Sequence, residues 1–417
     1  MYHALNKFKQ SSKKLLELFV GIKMKAFKFL SALTFMAAST VAHAKTSITV
    51  WEDLGNGASL NSAIAEFKKL HNDVDIIVKE VPQELQLGKF KFAFDRMRST
   101  PDIFLLRGER IAYAARNKLI SKINFMEQDQ ERYSTLATRE ANVDGKFYAV
   151  PRSIETLLVF YNKDLMPYPF ETLSQYEQYN REVKSKGLYG LLGKFDDFEV
   201  AYSVLGAHNG YIFKSNFGAV DPKNIGLNKD NVVSNARLLS EYVKDYVPRK
   251  LLTSVGTKLL DKLFIEGKTA AVINTSSALS RYAKAGINYG VAPLPKINEG
   301  YNMTPFYDVR SYVIAKNSPN KDLCKEFLEL VNEPNFAYDR YMVTAQLPPL
   351  HEVTNNPVVM NDDYANALFK QLQTAKQIPM ISKMNDVWTP MSMALSNIME
   401  KGRDPKNELD NAVANIT

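Results

Sequence analysis

Short β-branched runs alternate with helical patterns along the chain, and this alternation constrains the fold more than any other feature of the sequence. The first run, SITVW, occupies 47–51 and is followed by a polar, glycine-containing turn. Leu60, Ile64 and Phe67 then recur at the spacing of one helical face, and a second β-branched run follows at 74–78. This order predicts a parallel β-α-β unit with a right-handed crossover.

The same alternation continues towards the C-terminus. Strands are predicted at 102–106, 157–161 and 269–273, and helices at 113–119, at 257–264 and from Ser318 onward. The 417 residues exceed the usual length of one domain, and no low-complexity linker divides them. We therefore predict an α/β chain folded into two lobes that are joined by several crossings.

Residues 24–44 read MKAFKFLSALTFMAASTVAHA and predict a cleaved signal peptide. Two lysines precede an apolar stretch of 13 residues at 29–41, and the small residues of Ala-His-Ala predict cleavage before Lys45. The segment upstream of this peptide is long and amphipathic, so we expect translation to begin at Met24 and treat 1–44 as the leader. No cysteine follows the apolar stretch, so a lipoprotein is not expected.

The positive charge of the whole chain is concentrated in this leader. The formal net charge is +8, and residues 1–44 contain seven lysines and one glutamate. Removal of the leader leaves a mature chain with a net charge of +2. No basic run and no basic-aromatic motif remain in the mature chain, so nucleic acid is not an expected partner.

Few residues of the mature chain are suited to metal binding or covalent catalysis. It contains one cysteine, Cys324, and three histidines, His71, His208 and His351, without the spacing of a metal site. Cys324 lies beside a helical apolar stripe, which predicts a buried thiol. Phosphate-binding, serine-hydrolase and zinc-protease motifs do not occur. The sequence therefore predicts neither a metal nor a cofactor.

Several segments are more specific than the alternation of strands and helices. In chain order they are TPDI at 100–103, VDGKFYAVP at 143–151, FYNKDL at 160–165, FIEGKTAAVIN at 264–274, NYGV at 288–291, SPNK at 318–321 and MNDVW at 384–388. From about Ser47 to its end, the chain resembles the extracellular solute-binding proteins of sugar ABC importers.

The resemblance implies a fold, a function and a location. It implies a type II-like periplasmic binding fold, in which each of two lobes is a mostly parallel sheet flanked by helices and the ligand cleft lies at the hinge. One lobe is formed by 45–153 and 292–340 and the other by 154–291 and 341–417. It also implies a monomer in the periplasm that binds a maltodextrin or a diverged sugar between the lobes, closes at a hinge and delivers the ligand to a membrane permease. A cleft between lobes is a favourable place for a ligand that stabilises the closed form.

Glu52 and Asp53 are candidate sugar-binding residues because they follow the first strand at its carboxyl end, where open α/β sheets bind ligands. Carrying the family's site over by residue adds Glu109, Arg110, Glu155, Asp197 and Trp388. Charged groups suit sugar hydroxyls because they form several strong hydrogen bonds, and aromatic faces suit sugar rings. Each has a structural alternative: a surface ion pair for Glu109 and Arg110, a surface acid for Glu155, a helix cap for Asp197 and a core position for Trp388. The register at Asp197 is uncertain, because Asp196 and Glu199 are close to it.

The chain also departs from the family's maltodextrin-binding members. Leu106, Ser277 and Thr389 stand where those members have stacking aromatics. Either other aromatics replace them, with Tyr113, Phe198, Tyr202 and Tyr307 as candidates, or the ligand is not a maltodextrin. Further candidates for the site are Arg107, Arg152, Ser277 and Tyr307, and the two arginines would favour an acidic sugar.

Two other functions stay open at this level. The first is a secreted glycosidase with Glu109 and Glu155 as its acid and base, since glycoside hydrolysis needs two carboxylates across the scissile bond. The second is a binding protein for a solute that is not a sugar. We expect a binding protein that does not transform its ligand.

Overall fold

The computed structural model describes residues 45–216, 219–298 and 300–416. Residues 47–72 and those from 76 onward form one compact unit. The predicted leader, 1–44, lies outside the described residues. Within the described part of the chain, no helix is long and apolar enough to cross a membrane.

One of two main sheets has six strands. They are β1 (Thr46–Glu52), β2 (Val74–Glu80), β3 (Ile103–Leu106), β6 (Val150–Thr156), β15 (Phe306–Ile314) and β16 (Lys376–Gln377). Their order is β16-β15-β3-β1-β2, and β6 also pairs with β15. β1 and β3 are parallel, whereas β15 runs antiparallel to β3 and β6.

The second main sheet has four strands in the order β12-β7-β11-β8. Their bounds are Leu158–Asn162 for β7, Tyr189–Leu192 for β8, Thr269–Asn274 for β11 and Tyr289–Ala292 for β12. β8 and β11 are parallel, and β7 is antiparallel to both of its neighbours. β7 is buried along its whole length, as expected for a strand with both faces covered.

Helices cover both sheets. Around the six-stranded sheet lie α1 (Asn61–Leu70), α2 (Gln83–Phe94), α3 (Gly108–Arg116), α4 (Met126–Asp129), α5 (Thr135–Ala141), α11 (Lys321–Val331) and α12 (Pro334–Thr344). The remaining helices are α6 (Leu173–Lys184), α7 (Phe198–Leu205), α8 (Asp230–Tyr246), α9 (Gly256–Ile265), α10 (Leu279–Lys284), α13 (His351–Thr354), α14 (Pro357–Met360), α15 (Asp363–Leu372), α16 (Trp388–Met399) and α17 (Pro405–Ile416).

Short strand pairs complete the structure. β4 (Asn142–Val143) pairs with β5 (Lys146–Phe147), β9 (Phe213–Asn216) with β10 (Ala219–Ile225), and β13 (Lys296–Asn298) with β14 (Tyr301–Asn302).

The chain passes between the two main sheets at several points. Leu157 alone separates β6 from β7, and the segment 293–305 leads from β12 back to β15. Between α15, which packs on β12, and α16, which packs on α7 and α8, the chain returns to the six-stranded sheet as β16. The crossings expected from the sequence are therefore confirmed.

Most predicted elements are observed, with shifts at two helix starts. The helix predicted at 113–119 is α3, Gly108–Arg116, which begins directly after β3 and ends before the bridge between Ile120 and Ala315. The helix predicted from Ser318 begins at Lys321. Its start is delayed because the Ser318 hydroxyl donates to Asp102 at 2.6 Å and accepts the Asn320 amide at 3.1 Å, which holds these residues in a turn.

Candidate functional site

A cavity of about 180 Å³ lies where strands of both main sheets end. The chain leaves β6 there at Glu155, Thr156 and Leu157, and the segment after β11 contributes Thr275. The other lining residues are Gln83, Arg107, Glu199, Phe306, Asp308 and Arg310. In α/β proteins the carboxyl ends of strands are the usual position of a ligand site.

Arg310 holds two carboxylates at this cavity. Its Nη1 lies 2.9 Å from Asp53 Oδ2, and its Nη2 lies 2.6 Å from Glu155 Oε1. The second oxygen of Glu155 accepts the hydroxyl of Ser276 at 2.5 Å. The other oxygen of Asp53 accepts the backbone amides of Leu54 at 2.9 Å and Gln83 at 3.1 Å. Both carboxylates are therefore fixed in position by several donors.

Arg107 forms the second bridge. It follows β3, and its Nε lies 2.9 Å from Asp308 Oδ2 while its Nη1 lies 2.8 Å from Glu199 Oε1. Burial alone would lower the pKa of Arg107, but Asp308 and Glu199 raise it well above its ordinary value. Since Glu199 belongs to α7 and Asp308 to β15, this arginine joins a helix to a strand of the six-stranded sheet.

Asp308 is the carboxyl group with the most unusual ionisation in the lining. Burial raises its pKa to about 7; Arg107 opposes this rise, whereas Glu109 and Glu155 add to it. The β6–β15 register places Asp308 directly opposite Glu155, so two acids face each other across the strands. Near neutral pH the Asp308 carboxyl is partly protonated, so it can donate a hydrogen bond as well as accept one.

A further acid, Glu140 of α5, lies beneath this region. Its Oε2 accepts the Val309 amide at 3.0 Å, and burial raises its pKa well above the ordinary value. A Cβ on Gly108 would lie 2.5 Å from this oxygen, so only glycine fits at the first position of α3. The same close approach places α3 against the buried acid and directs Arg107 towards the cavity.

A family model described as a bacterial extracellular solute-binding protein matches residues 62–367. The chain belongs to this family. It is a family of solute-binding proteins, not of enzymes, and its members act outside the cytoplasm, in the periplasm or at the cell exterior.

Curated relatives and solved structures agree with this membership. A galactooligosaccharide-binding protein of Bacillus subtilis is 33% identical over 373 residues, with 88% of each chain covered. The maltodextrin-binding protein MdxE of the same organism is 27% identical, with 77% of this chain and 78% of the relative covered. A cyclo/maltodextrin-binding protein solved in complex with maltotetraose has a TM-score of 0.77 and 26% identity, covering 89% of this chain and 96% of that one. The chain thus has the two-lobed fold of periplasmic binding proteins.

Two side chains predicted for the site of this solute-binding protein lie in the core instead. Glu52 is fully buried, and its Oε2 accepts the Tyr312 hydroxyl at 2.6 Å and lies 3.2 Å from Arg152 Nε. Arg152 is also fully buried and donates to Gln346. The structure thus places this ion pair between strands, and neither residue lines the cavity.

Asp197 caps α7. Its Oδ1 accepts the Glu199 amide at 2.8 Å, which satisfies a free donor of the first helical turn. Asp196 pairs with Lys194. Of the three acids among which the sequence did not discriminate, Glu199 is the one that lines the cavity.

Trp388 begins α16 and lies half-buried in an aromatic cluster. Its ring is 5.8 Å from that of Phe198, at 75°, and Phe198 in turn is 6.3 Å from Phe306, which lines the cavity. Tyr202 stacks on Phe306 at 4.1 Å. The candidates Phe198 and Tyr202 thus lie next to the cavity wall, although both side chains are buried.

The remaining predicted residues do not line the cavity. Glu109 is mostly buried, 3.8 Å from Arg110, and Arg110 donates to the Glu84 carbonyl at 3.0 Å. Ser277 is exposed and lies 2.8 Å from the Thr275 hydroxyl. Tyr307 is buried, and its hydroxyl has no hydrogen-bond partner among the described residues.

Sequence reasoning missed Asp308 and Arg310, which are central to the cavity. Their signal was present: two opposite charges stand at alternate positions within FYDVRSYVI, an otherwise mostly apolar strand that is buried along its whole length. Alternate residues of a strand point to one face, so both charges face the same way. Among the described residues, no group of three His, Cys, Asp or Glu side chains could hold a metal ion.

Proposed function

We propose that this solute-binding protein captures a sugar and delivers it to the membrane permease of an ABC importer. The observation that carries the proposal is the cavity at the strand ends, where Arg310 and Arg107 each hold two carboxylates. The names of the relatives, which bind galactooligosaccharides or maltodextrins, point to an oligosaccharide.

The chemistry of the cavity suits a ligand with many hydroxyl groups. Asp53, Glu155 and Glu199 accept hydrogen bonds, the arginines donate them, and the partly protonated Asp308 can do both. The arginines already hold these groups in place, so little side-chain entropy is lost when a ligand binds. Phe306 offers an aromatic wall, and Trp388 extends the aromatic cluster.

The charge of the lining favours a neutral sugar over an acidic one. Among the described lining residues, Arg107 and Arg310 face Glu155, Glu199 and Asp308, and Asp53 adds a fourth carboxylate. Of the two arginines that suggested an acidic sugar, Arg107 is already paired with Glu199 and Asp308, and Arg152 is enclosed in the core. A uronic acid would add like charge to an acidic site.

The lobes that hold the ligand are 45–153 with 292–340, and 154–291 with 341–417. We infer that the ligand closes the lobes about their crossing segments by contacting both. The Arg107–Glu199 ion pair, which joins residues assigned to different lobes, supports this geometry. The protein acts as a monomer in this scheme.

The location proposed for the mature protein is the periplasm. Cleavage before Lys45 would release it across the inner membrane. Cys324 is the single cysteine of the chain and is buried in α11, so no cysteine near the cleavage site is available to carry a lipid. N-terminal sequencing of protein from the periplasm tests both the cleavage site and the soluble state.

The glycosidase alternative has less support. Both oxygens of Glu155 are engaged, one by Arg310 at 2.6 Å and the other by Ser276 at 2.5 Å. A catalytic carboxylate must be free to reach the glycosidic oxygen, the sugar carbon or a water molecule. An arrangement that fixes this carboxylate favours binding without reaction.

Tryptophan fluorescence provides the test. The chain has two tryptophans, Trp51 in β1 and Trp388 in the aromatic cluster that includes the lining residue Phe306, so Trp51→Phe and Trp388→Phe form a matched pair. Titration with maltotetraose and with a galactooligosaccharide should change the emission of the Trp51→Phe protein and leave that of the Trp388→Phe protein nearly unchanged. Calorimetry checks binding independently, with glucuronate as the acidic control.

Three results would contradict parts of the proposal. Absence of binding for every neutral oligosaccharide, together with a non-sugar ligand identified by mass spectrometry of protein from the periplasm, would replace the sugar. Tighter binding of glucuronate than of neutral sugars would overturn the charge argument. Recovery of a shortened oligosaccharide after long incubation would show an enzyme.

A further inference from the structure

A second and larger cavity, of about 1110 Å³, is separate from the arginine–carboxylate cavity, although Phe306 borders both. Its walls come from α3 and α5 beside the six-stranded sheet, from the end of α7 and the segment 206–213, and from the segment 373–381. The volume is at the upper end of the range of small-molecule sites.

The charge of this wall is opposite to that of the first cavity. Among its described residues are three basic side chains, Arg116, Arg139 and Lys376, and one acid, Asp144. Arg116 Nη2 lies 3.1 Å from Asp144 Oδ1, so these two charges compensate each other. Arg139 and Lys376 are both exposed, and no carboxylate of the described residues forms an ion pair with either.

The two unpaired cations belong to different elements that line this one cavity, Arg139 to α5 and Lys376 to β16. Lys376 pairs with Phe306, another lining residue, in the β15–β16 register. Because neither cation is paired with a carboxylate, both can donate charge-assisted hydrogen bonds to an anion in the cavity.

Aromatic and unpaired polar groups complete the wall. Tyr211, Tyr301 and Phe306 contribute rings, and the His208 ring lies 3.8 Å from that of Tyr301. His208 Nδ1 and Thr304 Oγ1 are buried without a hydrogen-bond partner among the described residues.

The loop that carries His208 is also strained. His208 and Asn209 have φ values of 54° and 61°, in the left-handed region that non-glycine residues rarely adopt. Two such residues in succession indicate a loop whose shape is maintained at a cost, which is common at binding sites.

We propose that this cavity binds a small organic anion, with a phosphate or carboxylate group attached to a flat ring. The anionic group pairs with Arg139 and Lys376, the ring packs against Tyr301 or Tyr211, and His208 and Thr304 hydrogen-bond to polar substituents. The site is distinct from the proposed sugar site, because the two cavities have opposite charge and share only Phe306. The proposal therefore does not depend on sugar binding.

Phenyl phosphate is the probe, because it combines both features and is not a sugar. Calorimetry on the full mature chain should detect its binding, with at least tenfold weaker binding by the Arg139→Gln protein. Arg249→Gln is the matched control, since Arg249 is an exposed arginine that does not line this cavity, and its affinity should equal that of the parent. Benzyl alcohol, which keeps the ring and lacks the charge, should bind at least tenfold more weakly than phenyl phosphate.

Two further measurements keep the result interpretable. Thermal unfolding identifies an Arg139→Gln protein that fails to fold, and Lys376→Gln, at an exposed position, then gives the same test with an expected loss of several-fold. Binding should weaken as ionic strength rises. The proposal is overturned if phenyl phosphate does not bind the parent, or if it binds the Arg139→Gln and Lys376→Gln proteins as tightly as the parent.

Discussion

Replacement of Arg310 by glutamine should destabilise the protein strongly, because it would leave two carboxylates without their partner. Arg310 Nη1 lies 2.9 Å from Asp53 and Nη2 lies 2.6 Å from Glu155, and the side chains of Arg310 and Glu155 are only 10% and 7% exposed. Removal of one partner from a buried ion pair costs about 3–5 kcal/mol. We expect a loss near the lower end, because Asp53 and Glu155 each keep other hydrogen-bond donors.

Urea unfolding at neutral pH measures this loss, and Arg237→Gln is its control. Arg237 pairs with Asp404 at 3.6 Å, and both side chains are about half exposed, 55% and 46%. Such a surface pair contributes about 0–1 kcal/mol. The same chemical change should therefore have a large effect at Arg310 and a small one at Arg237.

The comparison can refute the reasoning. If Arg310→Gln lowers the free energy of unfolding by no more than Arg237→Gln does, the network at the cavity does not hold its carboxylates as the geometry implies. A loss equal to that of Arg310→Gln in the Arg237→Gln protein would show that any arginine replacement has this effect. Within the proposed function, Arg310→Gln should also weaken sugar binding, since Asp53 and Glu155 would no longer be fixed.

Three other outcomes follow from single side chains. Burial raises the pKa of Asp308 from its ordinary 3.8 to about 7 in the folded protein, so the free energy of unfolding falls as pH rises from 3.8 through about 7. The Asp308→Asn protein lacks this loss and should therefore gain stability relative to the parent between pH 5 and pH 8. Urea unfolding at both pH values measures the difference in stability, and a difference that does not change with pH would refute this. Gly108→Ala should destabilise the protein by about 1–3 kcal/mol, because the added Cβ would contact Glu140. A Cβ at Gly88 of α2 has no neighbour within 4 Å, so Gly88→Ala should be neutral or slightly stabilising. Equal unfolding midpoints for the two variants would contradict the packing argument. Cys324 is fully buried with its pKa raised to about 12, so a thiol reagent should react only after denaturant is added, and rapid labelling of the native protein would show an accessible thiol.

The strand-helix alternation was sufficient to predict several strands, because it depends on local periodicity that tertiary contacts reinforce. It did not predict their directions: mostly parallel sheets were expected, whereas β7 is antiparallel to both of its neighbours and β15 to β3 and β6. The strands at 47–51, 102–106 and 269–273 are observed within two residues of the predicted bounds. Helix starts were less accurate, as Ser318 shows. Its hydroxyl bonds to Asp102, which is distant in sequence, and a local pattern contains no information about such a partner.

The site was only partly predictable, because its residues come from strands that meet only in the fold. Asp53 was predicted from its position after the first strand and Glu155 from the family's pattern, and the two are brought together by Arg310, a residue that neither signal indicated. The pairing of β15 with β6 creates this contact, and neither strand specifies it alone. A search for charged residues inside apolar runs would have found Arg310 and Asp308.

Glu52 and Asp53 show how one position in a strand separates a structural charge from a candidate ligand group. Burial along β1 alternates, with Ile48, Val50 and Glu52 on the inner face. Glu52 therefore meets Arg152 within the core, whereas Asp53, one residue beyond the strand end, meets Arg310 at the cavity. The strand period of two, applied to 47–52, would have placed Glu52 inside. Periodicity can therefore correct residues that are chosen for their position at a strand end, because the strand end identifies a region of the site and the pleat decides which side chains reach it.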